Sequence, residues 1–202
     1  IKYQRKIIYL FANNNFSQAS KIFNQAITDP NLDDKFHVIY MSAQCYLTKN
    51  KIPECQNLID RLLSNPEHLD HPKTHQVYTL NGNLYRTEKK YSSSVDMYKK
   101  SLSLLIKSEK ANVDIAKNYY QAALSLRDLK EIDESIKYFT HAISCYQKSE
   151  PNNIALAHSY YGKGLALIDI HNYQQAFVIF EQAIQAYQRI NPDHLAMAHS
   201  FH

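Results

Sequence analysis

The sequence repeats one pattern every 41 residues from residue 78 onward. Each copy opens with a large aromatic residue, has a small residue four positions later, and continues into a small-x3-aromatic-x2-small pattern. The leading residues are Tyr78, Tyr119 and Tyr160, and weaker copies led by Ile39 and Tyr3 precede them at offsets of 39 and 36 residues. Self-similarity at a fixed period of this length is typical of stacked-repeat proteins. We therefore expect copies of one unit, an architecture that mostly serves binding.

Each copy contains two amphipathic stretches at helical spacing. In the fifth copy the first stretch runs from about residue 154 to 170 and the second from about 173 to 189. His171 and Asn172 lie between them, in a turn so short that the two helices must be antiparallel neighbours. The pattern predicts a pair of helices in every copy.

Small and large residues alternate in a way that predicts how the helices pack. Gly164 and Ala176 stand where two helices must approach closely. Leading tyrosines such as Tyr160, and rings such as Phe180, are predicted to fill the space between adjacent helix pairs.

These features resemble the tetratricopeptide repeat (TPR), in which a large aromatic residue is followed by Gly or Ala four positions later and by Ala-x3-Phe-x2-Ala in the second helix. Units of about 41 residues exceed the usual ~34, and the extra length falls at the end of the second helix and in the following loop. The resemblance implies an all-α, right-handed α-solenoid of TPR helix pairs, with five complete repeats and the first helix of a sixth. The predicted repeats of this single domain (1–202) are residues 1–30, 36–65, 75–108, 116–149 and 157–190, followed by the truncated copy 198–202.

Composition excludes several classes of protein. No apolar run approaches the length of a transmembrane helix, and no signal peptide opens the chain. The three cysteines, Cys45, Cys55 and Cys145, are odd in number and stand at helical packing positions, so we expect small buried side chains in a reducing, cytoplasmic setting. The net charge of +4 is spread along the chain and no DNA-reading module is present, so no nucleic-acid contact is expected.

The histidines do not predict a metal site. His68, His71 and His75 form the densest group, but Pro66 and Pro72 interrupt any single helix through them and no cysteine lies nearby. The sequence also lacks a glycine-rich phosphate loop and a nucleophile elbow. We expect no enzyme activity and no cofactor.

The TPR resemblance implies which residues face the concave side of the superhelix. With the leading aromatic residue counted as position four, positions two, five, nine, twelve and thirteen of each first helix point inward. From these positions in repeats three to five we select as the predicted peptide-binding residues Gln76, Thr79, Asn83, Arg86, Lys117, Tyr120, Arg127, His158 and Tyr161. The other inward positions of repeats four and five are Leu124, Asp128, Leu165, Ile168 and Asp169.

The chemistry of this set suits an extended peptide. Asn and Gln can pair with both the C=O and the N–H of a peptide unit, Arg86 and Arg127 can bind a carboxylate, and tyrosine offers apolar area with a polar tip. An ordinary solvated helix face is the alternative. In that case Arg86 and Arg127 pair with Asp128 or Asp169. Even on a true binding surface, only a minority of these residues is expected to contribute most of the binding energy.

Residues 116–124 (AKNYYQAAL) and 133–139 (DESIKYF), together with the long units and few glycines, resemble the repeat domains of Gram-positive peptide-pheromone receptors of the Rap, NprR, PlcR and PrgX type. That resemblance implies a cytoplasmic module that senses a short peptide and regulates an attached or partner effector. A Rap-type phosphatase would need an N-terminal helical bundle before the repeats.

Other TPR classes are alternatives. Asn191-Pro192-Asp193-His194-Leu195-Ala196 is similar to the inter-repeat signature of kinesin-light-chain and LGN scaffolds, which bind segments of protein partners. A chaperone-type carboxylate clamp fits less well, because Thr79 and Gly162 stand where that clamp needs other residues.

The two ends of the chain predict continuation and contact. Ile1 is not preceded by Met, and the sixth copy is cut short, so we expect a piece of a longer protein. We also expect an exposed apolar patch at Ala198 and Phe201, and a possible homodimer through the C-terminal repeats.

Overall fold

The protein is all-helical over the part of the chain that the computed structural model describes, residues 2–32, 34–107 and 112–190. These residues form eleven helices and no strand: α1 (Lys2–Ala12), α2 (Phe16–Thr28), α3 (Lys35–Thr48), α4 (Ile52–Ser64), α5 (Pro66–Leu69), α6 (Thr74–Thr87), α7 (Tyr91–Lys107), α8 (Asn112–Asp128), α9 (Ile132–Ser149), α10 (Ile154–Asp169) and α11 (Tyr173–Ile190). None of the helices in these ranges is long and apolar enough to cross a membrane. The all-helical class predicted from the 41-residue period is confirmed.

Short helix α5 is the one element that the sequence did not predict. It follows α4 after a single residue, Asn65, whose side chain accepts a hydrogen bond from the backbone N–H of Glu67. Pro66 stands at the first helical position, where its missing N–H costs nothing. The four-residue length of α5 is too short to produce a periodic apolar pattern in the sequence.

The chain divides into two compact units, Ile1–Leu84 and Tyr85–His202. In the first unit α1 contacts α2 and α3, α2 contacts α3, and α3 contacts α4. In the second unit α7 contacts α8, α8 contacts α9, α9 contacts α10 and α10 contacts α11. Helices α1 to α5 and α7 to α11 therefore pack mainly on their neighbours in sequence, as expected for a repeat protein whose core is shared between adjacent repeats.

One turn geometry recurs between the two helices of every pair. The N–H of the residue before each second helix bonds to a carbonyl five residues back, as from Glu131 to Leu126 (2.9 Å) and from Asn172 to Leu167 (2.9 Å). The preceding residue is left-handed and its N–H bonds to a carbonyl three residues back. These two bonds define a Schellman motif, which satisfies carbonyls at the helix end. The left-handed residues are Asn14, Asn50, Lys89, Lys130 and His171, with φ between 54° and 67°.

Small residues let the helices of the second unit approach closely. A Cβ atom built on Gly162 would lie 2.5 Å from Cε1 of Phe139, and one built on Gly164 would lie 2.5 Å from Cε1 of Phe180. Phe139 belongs to α9 and Gly162 to the next repeat, so that ring packs between repeats. Phe180 instead lies over Gly164 of its own repeat. At the place of Gly164 the fourth repeat has Ala123, which belongs to the same buried cluster as Phe139.

The leading aromatic positions behave differently from one another. Tyr160 fits the prediction, because it packs on the cluster around Ile143 and its hydroxyl accepts a 2.7 Å bond from Gln147 of the preceding repeat. The ring of Tyr119 lies 5.4 Å from that of Tyr138 and 5.0 Å from that of His141, both on α9 of its own repeat. For Tyr119 and Phe180 the packing between adjacent pairs stays a prediction.

A buried serine, Ser135, stands in the fourth repeat at the position that Ala176 holds in the fifth. Ser135 is fully buried, and its hydroxyl donates a 2.8 Å hydrogen bond to the carbonyl of Ala123 on α8. A buried hydroxyl is tolerated when it has such a partner. This bond ties the two helices together at the point of closest approach.

The cysteines are free and only one of them is buried as predicted. Cys55 is fully buried, and burial raises the pKa of its thiol to about 12. Cys45 and Cys145 are half-buried at the edges of the core clusters, so the expectation of buried side chains is wrong for these two.

Helix α11 exposes several large apolar side chains, with Tyr173, Phe177 and Val178 exposed by 61%, 62% and 51%. The apolar patch predicted at Ala198 and Phe201, and the truncated sixth repeat, lie outside the described residues.

Replacing each of the two glycines of α10 by alanine tests the packing. Alanine favours a helix by about 1 kcal/mol over glycine, whereas overpacking costs about 1–3 kcal/mol. We expect Gly162→Ala to lower the free energy of unfolding by about 1 kcal/mol, because the Phe139 ring is fully buried and cannot move aside. Gly164→Ala is the matched control, since the half-buried Phe180 ring can shift toward solvent. Urea unfolding followed by circular dichroism measures both, and equal stabilisation by both variants would contradict the packing described.

Candidate functional site

The first helices of repeats four and five, α8 and α10, contact each other directly. On one side of them lie the residues that the sequence predicts to face inward, and we call this surface the α8–α10 face. Its half-buried members are Tyr120, Leu124, Arg127, Tyr161 and Leu165, and its exposed members are Lys117, Asp128, His158, Ile168 and Asp169. On the opposite side of the same helices Ala123, Leu126 and Leu167 are buried in the core. The helical period thus separates a packing side from an accessible side.

Aromatic side chains support this face from below and at its edge. The Tyr120 ring lies 5.9 Å from that of Phe139, and the Tyr161 ring lies 5.7 Å from that of Phe180. The His158 ring is 5.7 Å from that of Tyr187 on α11. Two anchored tyrosines with accessible edges offer rigid contact area that loses little entropy on binding.

Tyr187 is a member of this site that the sequence prediction missed. Burial raises the pKa of its phenol to about 12, with further contributions from Tyr120 and Tyr161, so these two side chains lie near it. Tyr187 stands on a second helix, and the TPR pattern directs attention only to first helices. Tyr187 lies three residues before the end of α11, and nothing in the sequence pattern at that position indicates a binding role.

Arg127 is engaged within the protein. Its Nε donates a 2.6 Å hydrogen bond to Oδ2 of Asp169, and its Nη2 donates a 3.3 Å bond to Oδ1. The two side chains come from α8 and α10 and are 29% and 30% exposed. Bidentate pairing of this kind is the strong form of an arginine–carboxylate contact. This geometry favours pairing of Arg127 within the chain over binding of a peptide carboxylate by Arg127.

Arg86 has a different environment from Arg127. Its Nη1 donates a long, 3.3 Å hydrogen bond to the neutral Oε1 of Gln121 on α8. Its Nε is buried and has no hydrogen-bond partner within residues 2–32, 34–107 and 112–190. Burial raises the pKa of Tyr120, and the nearby Arg86 guanidinium partly offsets that effect. Arg86 and Tyr120 are therefore neighbours, which the 34 positions between them in the sequence did not reveal.

The remaining predicted residues occupy α6. Gln76, Thr79 and Asn83 are half-buried and share one side of this helix with Arg86. The Thr79 hydroxyl donates a 3.0 Å bond to the carbonyl of His75. These three residues belong to the first compact unit, whereas the residues of the α8–α10 face belong to the second.

A separate cleft of about 1010 Å³ lies in the first unit and is lined in part by Phe36, Arg61, His68 and His71. The His71 ring stacks on Phe36 at 3.9 Å, and burial lowers the pKa of His71. Within the described ranges, no group of three or more His, Cys, Asp or Glu side chains is placed to hold a metal ion. None of the predicted site residues lines this cleft.

Residues 114–189 match the family model described as Tetratricopeptide repeat. That range covers most of α8 to α11, and the resemblance to TPR drawn from the sequence is confirmed there. The comparison with curated proteins finds no match.

Solved structures extend the likeness over nearly the whole chain. The apo form of RapI has a TM-score of 0.82 at 15% identity and covers 96% of this chain and 72% of its own. BtubC (BKLC) from P. vanneervenii has a TM-score of 0.75 at 16% identity, covering 95% and 80%. The TPR-like repeats of a Podosopora anserina protein described as a kinesin light chain have a TM-score of 0.73 at 12% identity, covering 94% and 95%. The chain therefore has the helical-repeat solenoid fold that the sequence predicted.

A double-mutant cycle tests the bond between α8 and α10. We expect Arg127→Gln and Asp169→Asn to show a coupling energy of about 0.5–1 kcal/mol in the free energy of urea unfolding at low salt, as half-exposed ion pairs do. The coupling should shrink in 1 M NaCl, where the Debye length is about 3 Å. The i,i+3 pair Lys137–Glu134 is the matched surface control. Additive effects of the two substitutions at low salt would show that the pair does not join the repeats.

Proposed function

We propose that this chain, whose residues 114–189 are tetratricopeptide repeats, is a peptide-binding module that uses the α8–α10 face. Modules of this fold act in general by binding peptides or segments of partner proteins. The proposal rests chiefly on one observation. Tyr120, Leu124, Tyr161 and Leu165 remain half-buried and accessible along two contacting helices, while the other side of those helices is packed.

An extended segment fits the chemistry of this face. The half-buried tyrosines and leucines present apolar area, and Arg86, Lys117 and His158 add donors around it. Gln76, Thr79 and Asn83 on α6 belong to the first unit. They are proposed as contacts because Asn, Gln and Thr can bond to the backbone of a peptide.

We further propose that the ligand is a short peptide sensed in the cytoplasm, and that binding regulates an attached or partner effector. The support is the resemblance of residues 116–124 and 133–139 to the peptide-pheromone receptors and the likeness of the fold to RapI. A homodimer through the C-terminal repeats remains a prediction, and the exposed apolar side chains of α11 would suit it.

A scaffold that assembles a protein complex is the second candidate function. Its support is the likeness of the fold to the kinesin-light-chain repeats, since the match spans 95% of that protein's chain. In that case a folded partner, and no short peptide, binds the same face.

Calorimetry with short peptides encoded beside the gene separates the two functions. We expect at least one peptide to bind at nanomolar to micromolar Kd, and Tyr120→Ala to weaken it about tenfold or more, because buried tyrosines are frequent hot spots. The matched control is Tyr173→Ala, which removes an exposed ring from α11, away from the face. Tyr120→Phe keeps the ring and its packing on Phe139, so it reports whether a loss comes from unfolding. If heat of binding is observed only with a folded protein partner and with no short peptide, the scaffold function is favoured over the peptide-receptor function.

A further inference from the structure

The second unit holds two arginines from predicted inward positions, and their charges are compensated differently. The guanidinium of Arg127 is matched by the carboxylate of Asp169 through two hydrogen bonds. Arg86 has no carboxylate within ion-pair distance among the residues that the structure describes. Because arginine does not lose its proton at any physiological pH, this positive charge persists at a half-buried position.

The hydrogen bonding of Arg86 is also incomplete. A guanidinium carries five N–H donors. One is used in the 3.3 Å bond to the amide oxygen of Gln121, a neutral and distant acceptor. The Nε atom is buried and has no hydrogen-bond acceptor in the part of the chain that the structure describes. A charged donor that is buried without an acceptor carries a desolvation cost that an anionic partner would remove.

The surroundings of Arg86 join it to the aromatic part of the α8–α10 face. The guanidinium affects the phenols of both Tyr98 and Tyr120, where it offsets part of the rise in pKa that burial causes. Tyr98 is fully buried, so it forms part of the support, whereas Tyr120 is half-buried and accessible. Tyr120 in turn lies near Tyr187. The hydrogen bond from Arg86 to Gln121, the residue after Tyr120, places this positive charge close to the Tyr120 ring.

We propose that the α8–α10 face selects a peptide that carries a carboxylate next to an apolar side chain, with the carboxylate bound by Arg86 and the apolar side chain placed against Tyr120 and Tyr187. This inference rests on the proposed function and adds the chemistry of the ligand. The carboxylate is either the peptide C-terminus or an Asp or Glu side chain, since both offer two oxygens to a guanidinium. Arg127 is not assigned this role, because the carboxylate of Asp169 already compensates its charge through two hydrogen bonds.

A library of randomised nine-residue peptides in solution tests the proposal. Half of the peptides have a free C-terminal carboxylate and half have a C-terminal amide. The protein retains binders on a size-exclusion column and mass spectrometry identifies them. We expect the wild-type chain to enrich peptides with Asp, Glu or a free C-terminus beside an apolar residue. Enrichment of the free-carboxyl half alone assigns the C-terminus, and enrichment of Asp or Glu in both halves assigns a side chain.

Arg86→Gln then removes the charge while it keeps an amide that can still bond to Gln121. For the best wild-type peptide we expect Kd to rise about tenfold or more, as for a charge-assisted hydrogen bond lost. The rise should vanish when the acidic group of the peptide is itself amidated. Lys137→Gln is the matched control, because it removes one exposed positive charge from α9, outside the α8–α10 face, and should change Kd less than about threefold at 0.15 M salt.

Three results would overturn the inference. Enriched peptides without any preference for acidic groups would refute it and leave the peptide-binding function standing. Equal weakening of the acidic and amidated peptides by Arg86→Gln would assign Arg86 to holding Gln121, without ligand contact. A wild-type protein that retains no peptide at all would refute both the inference and the proposed function.

Discussion

The architecture depends on the close contact between consecutive helices, which is possible only where one helix offers a small residue. Gly162 and Gly164 admit the rings of Phe139 and Phe180 to positions that a Cβ atom would fill. In the fourth repeat the same contact is made by Ala123 and held by a hydrogen bond from Ser135. Dispersion and apolar burial over such contacts supply most of the stability of a repeat protein, because each unit touches only its neighbours. A Schellman turn of constant geometry then sets the antiparallel return of every pair.

This packing decides which surface remains for a ligand. The residues that face the core must stay small or apolar, whereas those on the other side of α8 and α10 are free to vary. The period of 41 residues keeps Tyr120 and Tyr161 at the same place in successive repeats. The Arg127–Asp169 pair crosses between the same two helices, so it limits how far they can separate. Arg86 lies close to Tyr120 and forms an ion pair with no carboxylate among the described residues.

Much of the fold follows from the sequence, because helical periodicity recurs in every copy and the small residues recur in the three copies led by Tyr78, Tyr119 and Tyr160. Helix α10 was expected at residues 154–170 and is found at Ile154–Asp169. The orientation of single rings was not predictable. Phe139 contacts Tyr120 of its own repeat and Gly162 of the next, and no sequence pattern distinguishes the two contacts. For the candidate site, the sequence predicted which positions of the first helices face inward, but it did not predict the contacts between their side chains. Pairing of Arg127 with Asp169, and the approach of Tyr187 to Tyr120, arise from contacts between helices that no periodicity encodes.

Mapping amide chemical shifts of the 23.5 kDa chain by NMR during titration with a bound peptide tests the central claim most directly. The account predicts that the largest shifts fall on α8 and α10 at Tyr120, Leu124, Tyr161 and Leu165. Amides of the exposed face of α11 around Phe177 should change little. Large shifts confined to α11, or to the cleft around Phe36 and His71, would contradict the assignment of the α8–α10 face as the binding surface.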